Sequence, residues 1–181
     1  MNIDIHEAHG RDEQVIANLV RFYVYDMSDC GGWDCPETGL WGGCDDLPQY
    51  WGRPPENARD RWPDGWRGLP FVVRVDGRLA GFALVRQIAD DPPAFDMGEF
   101  FILRRYRRRG VGRHVACRLF DRFPGRWQVR QLPENDPAVA FWREVIWDYT
   151  HGEFEDFTGL GDRHCNAYLV QRFTSPGRGK A

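Results

Sequence analysis

Residues 70–88 constrain this chain more than any other stretch. The run Phe71-Val72-Val73-Arg74-Val75 leads into Asp76-Gly77 and then Leu79-Ala80-Gly81-Phe82-Ala83-Leu84-Val85. Two runs rich in β-branched and aromatic residues, joined by a dipeptide that tolerates positive φ, make an antiparallel hairpin. The chain therefore contains a sheet, and at least part of it is antiparallel. Asp90-Asp91-Pro92-Pro93 is a turn signal that ends the hairpin. A further strand is expected over about 95–103, through Glu99-Phe100-Phe101-Ile102-Leu103.

The flanks supply helices and more strands. Residues 2–7 read as a first strand. Residues 11–27 read as a helix, with Val15, Ile16, Leu19, Val20 and Tyr23 as an apolar stripe at helical spacing. After Gly110, the positions of Val111, Val115, Leu119 and Phe120 mark an amphipathic helix, which Pro124-Gly125 stops. Trp127-Gln128-Val129-Arg130-Gln131-Leu132 reads as a strand. Asn135-Asp136-Pro137 opens another helix, a cap residue followed by Pro in the first turn, with Ala138, Phe141, Trp142 and Val145 on its apolar face. Two late strands are expected near 149–157 and 165–173, and a disordered polar tail over 174–181. Between the first helix and the hairpin, residues 28–68 are rich in Gly, Pro and Asp and hold Trp33, Trp41, Trp51, Trp62 and Trp66. One short helix near 46–51 fits there, and so long a loop in a compact domain commonly carries function. Strands outnumber helices, which predicts a mixed α/β (α+β) layer fold. The 181 residues, without a linker or repeat, predict a single domain over 1–173.

Charge and composition narrow the function. Net charge is −3, and the only lysine is Lys180. That balance argues against nucleic acid as the partner of the whole surface. No run of 18 apolar residues exists, so no membrane span is expected. The first residues lack the basic and apolar regions of a signal peptide, and a cytoplasmic location is the default. Five cysteines are consistent with reduced thiols. Cys30, Cys35 and Cys44, with four and then eight residues between them, match no standard zinc spacing, so no metal is expected.

The chemistry concentrates at residues 99–123, a strand, an Arg/Gly-rich turn and a helix start. The first N–H groups of a helix lack intrahelical partners and point outward with the positive end of the dipole. Such an end accepts an anion. Gly110 and Gly112 let backbone come close to a phosphate, and Arg107, Arg108, Arg109 and Arg113 add forked donors. Three readings remain open on spacing: a pyrophosphate cradle, a solvated charged helix start, and a basic stretch facing nucleic acid. A Walker loop is excluded because no Gly-Lys-Ser/Thr follows, and the Gly-x-Gly-x-x-Gly pattern fails at Val115.

Here the sequence resembles the GNAT N-acetyltransferase superfamily. Arg107-x-x-Gly110-x-Gly112 matches that family's Arg/Gln-x-x-Gly-x-Gly/Ala coenzyme A loop. Asn135-x-x-Ala138-x-x-Phe141-Trp142 is similar to its Asn-x-x-Ala-x-x-Leu-Tyr segment. The resemblance covers about residues 1–173 and is strongest over 70–147. It implies a mostly antiparallel central sheet of about seven strands, flanked by helices and splayed into a cofactor slot between 99–103 and 127–132. Acetyl-CoA is the implied co-substrate, with no metal. The backbone of Phe101, Ile102 and Leu103 would pair with the pantetheine arm. The N–H groups of Arg108, Arg109, Gly110, Val111, Gly112 and Arg113, beside Arg107, would hold the pyrophosphate, and Asn135 would contact the cofactor.

The implied reaction is direct transfer of an acetyl group to a primary amine of a small or medium-sized acceptor. A peptide or protein amine is the alternative. A catalytically silent coenzyme A-binding module is another. Glu99 is the candidate general base. Trp142 stands where the family often has the Tyr that protonates the leaving thiolate, and Trp cannot do that work. Tyr168 is the candidate in its place. His114 and His164 read as surface or core residues. The acceptor side would be covered by the first helix and the loop after it. Tyr23, Tyr25, Asp26 and Trp33 are the acceptor candidates there. Trp33, Trp41 and Trp51 would stack on a cation, and Asp26, Asp29, Asp45 and Asp46 would attract an amine. The competing reading of these aromatics is packing of the loop onto the sheet. The resemblance allows a homodimer, and no sequence device forces one.

Overall fold

The computed structural model describes residues 1–55, 57–89, 94–162 and 165–177, with residues 162 and 165 described by their backbone alone. The turn signal at 90–93 and His164 lie outside the described residues. Among the described residues, one sheet of seven strands has the order β1-β2-β3-β4-β5-β7-β6. Its strands are β1 (Ile3–Glu7), β2 (Arg67–Val75), β3 (Arg78–Ile88), β4 (Ala94–Ile102), β5 (Gly125–Gln131), β6 (Glu155–Asp162) and β7 (Cys165–Ser175). Helices α1 (Glu13–Gly31), α2 (Val111–Arg122) and α3 (Asp136–Thr150) flank it. The expected α/β (α+β) arrangement with a mostly antiparallel sheet is what the chain adopts.

The β2–β3 hairpin turns on Asp76 and Gly77 with φ of 48° and 75°, the two positive values that a tight primed turn requires. Two features of β4 then shape everything downstream. Leu84 lies opposite Glu99 while Val85 lies opposite Met97, so Gly98 is an extra residue in the ladder. A Cβ on Gly98 would fall 2.4 Å from the Tyr50 hydroxyl and 3.0 Å from the Leu84 carbonyl oxygen, so only glycine fits the bulge. Beyond it, β4 parts from β5. These two strands run parallel, unlike the other described pairs, and they are bonded only over Ala94–Met97 and Arg126–Val129. The strands continue to Ile102 and Gln131, leaving a slot open between them.

The sheet buries both faces. One face holds Phe71, Val73, Val85, Phe95, Met97, Trp127 and Val129 against Phe120 of α2 and Trp142, Val145 and Ile146 of α3. The other holds Val72, Phe82, Leu84 and Phe101 against Ile16, Leu19 and Val20 of α1, with Leu47 and Tyr50 of the long loop. The expected short helix of that loop is a 3-10 turn over Leu47–Trp51.

Two boundaries differ from expectation. The late strand expected at 149–157 starts at Glu155, because α3 runs to Thr150 and His151 ends it in the left-handed region at φ 57°. The disordered tail expected over 174–181 does not take in Thr174 and Ser175. Thr174 and Ser175 complete β7, and the buried Ser175 hydroxyl donates to the Phe120 carbonyl at 2.7 Å. Residues 178–181 lie outside the described residues.

Candidate functional site

The slot between β4 and β5 opens into a cavity of about 810 Å³ that passes through the sheet from the α3 side to the α1 side. Asn135, Ala138, Trp142, Gln131 and Phe100 line one end; Tyr23, Cys44, Trp62, Glu99, Arg130 and Tyr168 line the other. Strand alternation explains the division. Phe100 packs on Trp142 at 5.0 Å between ring centroids. Glu99 and Phe101 point the opposite way, toward α1, where Phe101 meets Tyr23 at 6.0 Å.

Only some of the expected backbone groups face the slot. The Leu103 N–H donates to the Ala80 carbonyl at 2.8 Å. The Phe101 carbonyl is turned to Gly81, whose added Cβ would meet it at 2.1 Å. Both therefore point at β3. The Ile102 carbonyl points into the slot, where Arg107 Nε donates to it at 2.6 Å. Alternation puts Phe100 on the same side as Ile102. Of Phe101, Ile102 and Leu103, only Ile102 turns its backbone groups toward the slot, and Phe100 turns the same way. The bulge at Gly98 sets this phase, and bulge positions leave little trace in hydrophobic pattern.

The Arg/Gly turn leads from β4 into α2 through Arg108 at φ 58° and Gly110 at φ 77°. The first bond of the α2 ladder runs from the His114 N–H to the Gly110 carbonyl, at 3.0 Å. The N–H groups of Val111, Gly112 and Arg113 therefore sit in the unpartnered first turn. A Cβ on Gly110 would meet nothing within 4 Å, so positive φ is what calls for glycine there. Gly112 has a different reason, because its Cβ would press on Phe141 at 3.1 Å.

The arginines divide. Arg108 and Arg109 are exposed beside the helix start. Arg113 instead pairs with Asp148 of α3 at 2.6 Å. Arg104 and Arg107 both grip Asp26 of α1, Arg104 at 2.7 Å. That pairing removes Asp26 from the acceptor side, where sequence reading put it. Tyr25 also lies off the cavity, half exposed and packed on Trp41 at 5.9 Å. Among the acceptor candidates, Tyr23 and Trp33 do line the cavity. Trp51 is packed in the α1-side core, while Trp62 lines the cavity. Asn135 caps α3, accepting from the Ala138 N–H at 3.2 Å, and its amide faces the Met27 sulfur at 3.3 Å.

Beneath the α1-side end lies a charged floor that sequence reading missed. Asp96 of β4 is fully buried and accepts from Arg86 Nη1 at 3.1 Å and from Arg130 Nη2 at 2.7 Å. Burial pushes the Asp96 carboxyl up, but Arg130 and Arg86 together outweigh it and hold it below the usual carboxylate value. These residues are scattered along the chain, and no local spacing announces them. Replacing Asp96 with Ala takes the buried carboxylate from Arg130 and leaves Arg86 with Asp46 as its remaining close partner. The expected cost is about 3–5 kcal/mol, checked by urea unfolding of the variant against wild type.

Glu99 sits above this floor. Burial pushes its carboxyl up to about 7, against the pull of Arg86 and of a hydrogen bond from Tyr23, while Asp46 adds to the rise. Tyr23 is itself pushed well above its usual value, chiefly by burial and then by Glu99. Arg86 Nη2 stands 3.8 Å from Glu99 Oε1, which is outside hydrogen-bond range. Tyr168 of β7 faces the same cavity, with the Arg130 guanidinium 5.2 Å from its ring centroid. The structure thus brings Glu99, Tyr23 and Tyr168 to one opening, and an anion-accepting helix start to the turn that follows β4. Among the described residues no group of His, Cys, Asp and Glu is arranged to hold a metal ion, and no helix is long and apolar enough to cross a membrane.

Comparison with known proteins agrees with this geometry. The model of the acetyltransferase (GNAT) family matches residues 40–145. A search of curated proteins gives no match. Among solved structures, the chain is similar to the ribosomal-protein-S18-alanine N-acetyltransferase of Escherichia coli. The identity is 14% and the TM-score 0.59, over 99% of this chain and 97% of that one. It is similar to an acetyltransferase of Thermus thermophilus at 13% identity and TM-score 0.64, over 96% and 97%. It is also similar to Arabidopsis thaliana Naa50 in complex with the bisubstrate analogue CoA-Ac-MVNAL, at 8% identity and TM-score 0.59, over 96% and 99%. Likeness at these identities shows the fold.

Proposed function

The chain belongs to the GNAT acetyltransferase family, and from that premise we propose that it transfers an acetyl group from acetyl-CoA directly to a primary amine of a small or medium-sized acceptor. Both substrates would be bound together, since the cavity is open through the sheet. The observation that carries this reading is Glu99: a mostly buried carboxyl, drawn up to about 7, at the cavity end opposite the α3-side opening.

The slot fits acetyl-CoA on two counts. The β4 edge is unpaired with β5 beyond Met97, with Arg107 on the Ile102 carbonyl, and the unpartnered first turn of α2 has open space above Gly110. Phe100 and Ile102 offer backbone groups to an extended amide arm lying between the strands. The N–H groups of Val111, Gly112 and Arg113 and the side chains of Arg108 and Arg109 hold the pyrophosphate. Bound acetyl-CoA supplies the acetyl group as a thioester.

The acceptor enters from the α1 side, between Tyr23, Trp33 and Trp62. An aliphatic amine is protonated near neutral pH and must lose a proton before it can attack. Glu99 takes that proton, because a carboxylate of proton affinity near the working pH is an efficient base. Tyr23 orients Glu99 by its hydrogen bond. Trp142 is packed among Phe100, Phe120 and Phe141 and has no proton to give. Tyr23 is engaged with Glu99, so Tyr168 is assigned to return a proton to the thiolate.

The α1-side end of the cavity, lined by Tyr23, Trp33 and Trp62, supports a small acceptor over a long peptide. Thiol release measured with acetyl-CoA against a panel of small amines and of short peptides tests this. Turnover with at least one small amine is the expected result. Turnover with peptides alone would move the acceptor class to protein termini or side chains. Thermal stabilisation by acetyl-CoA without turnover on any amine would reduce the chain to a coenzyme A-binding module.

A further inference from the structure

Three carboxylates share two guanidinium groups on the floor of the cavity, and one of them, Glu99, has no guanidinium at hydrogen-bond distance. Arg130 is committed to Asp96 at 2.7 Å, and Arg86 Nη1 to the same carboxylate at 3.1 Å. Arg86 Nη2 then faces two acids. It bonds Asp46 at 2.9 Å and stands 3.8 Å from Glu99. Asp46 comes from the long loop, far from Glu99 in sequence, and Trp62 of the same loop donates to the same oxygen at 3.2 Å. The Trp62 ring covers the guanidinium, 5.5 Å from Arg86 Cζ. Asp46 and Arg86 are both mostly buried, with side chains 17% and 12% exposed, so solvent screens this contest weakly.

We propose that Asp46 is a positioning residue for the base: by holding Nη2 of Arg86 it denies Glu99 a close ion pair and keeps the Glu99 carboxylate a strong proton acceptor. The inference rests on the reading of Glu99 as the base. A carboxylate bonded to Arg86 at hydrogen-bond distance is stabilised in its charged form and takes up a proton poorly. The loop that walls the acceptor side thus also sets the strength of the base, through one oxygen of Asp46.

The other groups facing Glu99 do not account for this. Tyr23 of α1 donates a hydrogen bond, which favours the charged form. Cys44 of the loop and Tyr50 of the 3-10 turn are both pushed well above their usual values, chiefly by burial, and stay neutral. Arg130 of β5 is spent on Asp96, on the same strand as Glu99.

The test is a titration of the Glu99 side-chain carboxyl carbon by NMR in the full chain labelled with carbon-13 glutamate. The resonance is identified by its loss in Glu99→Gln. Asp46→Asn keeps the shape but offers Nη2 of Arg86 only a neutral and weaker acceptor, which frees the guanidinium to close on Glu99. The expected result is a Glu99 midpoint about one pH unit lower than in wild type, with the acidic limb of kcat/KM moving down alongside it. Asp46→Glu, which restores the carboxylate, is expected to keep the midpoint at the wild-type position. Asp46→Ser carries the same expectation as Asn and stands in if the Asn variant does not fold.

A midpoint that does not move in the neutral variants overturns the proposal. So does an equal shift in the Glu and Asn variants, because that is what loss of loop docking alone would produce. The titration reads the resting protein. A Glu99→Gln variant with full turnover therefore overturns the assignment of the base and not this coupling.

Discussion

Glu99→Gln is expected to lower kcat/KM by about 10²–10⁴-fold while leaving the affinity for acetyl-CoA unchanged. Gln keeps the shape and still accepts the Tyr23 hydrogen bond, but it takes no proton. The wild-type pH profile carries the second half of the prediction. Only the carboxylate acts as base, so kcat/KM rises through pH about 7 and levels above it. The variant has no limb there. Stability moves the other way. A carboxyl held at about 7 in the fold, against 4.5 ordinarily, binds its proton more tightly in the folded chain. The stability it contributes is present below about 4.5 and is lost as pH rises through about 7. Glu99→Gln removes that loss and is expected to melt higher than wild type at pH 8. A variant that loses activity and melts lower would point to collapse of the cavity rather than loss of a base.

Gly110→Glu is expected to abolish binding of acetyl-CoA, read as loss of the rise in Tm that the ligand gives wild type. Two effects combine. Gly110 has φ 77°, and a side chain in that region costs about 1–2 kcal/mol. The new carboxylate also projects into the open space at the start of α2, where a pyrophosphate would sit, and occupies the anion site with its own charge. Gly110→Ala isolates the first effect. It is expected to lower Tm modestly and to retain the ligand's protection. If Gly110→Glu still gains protection from acetyl-CoA, the phosphates do not bind at this helix start.

Much of this arrangement was legible from residue order. Asp76-Gly77 between two β-rich runs forced the hairpin. The Arg107-to-Gly112 turn before an apolar stripe placed a bare helix start after a strand. Asn135 followed by Pro137 placed the cap of α3. Each of these is a local signal, carried by residues within a few positions of one another. The long loop was harder. Its composition announced irregular structure, but which tryptophans line the cavity depends on how Asp46, Tyr50 and Trp62 dock on β3 and β4. Asp26 read as an acid near an amine, and the fold spends it on Arg104 and Arg107. Those partners lie far apart along the chain, and nothing local marks the pairing.

Sequence alone therefore determined the hairpin, the strand–turn–helix with its anion-accepting end, and the presence of Glu99 on the strand that leads into it. Those follow from φ preferences, hydrophobic period and unpartnered helix N–H groups, all short-range properties. Tertiary structure alone decided which backbone groups of β4 face the slot, because one bulge at Gly98 shifts the alternation. It also decided that Glu99 is a mostly buried carboxyl of raised proton affinity rather than a surface acid. Proton affinity is set by burial and by the distances to Arg86, Asp46 and Tyr23, and those distances exist only once α1, the long loop and three strands have come together.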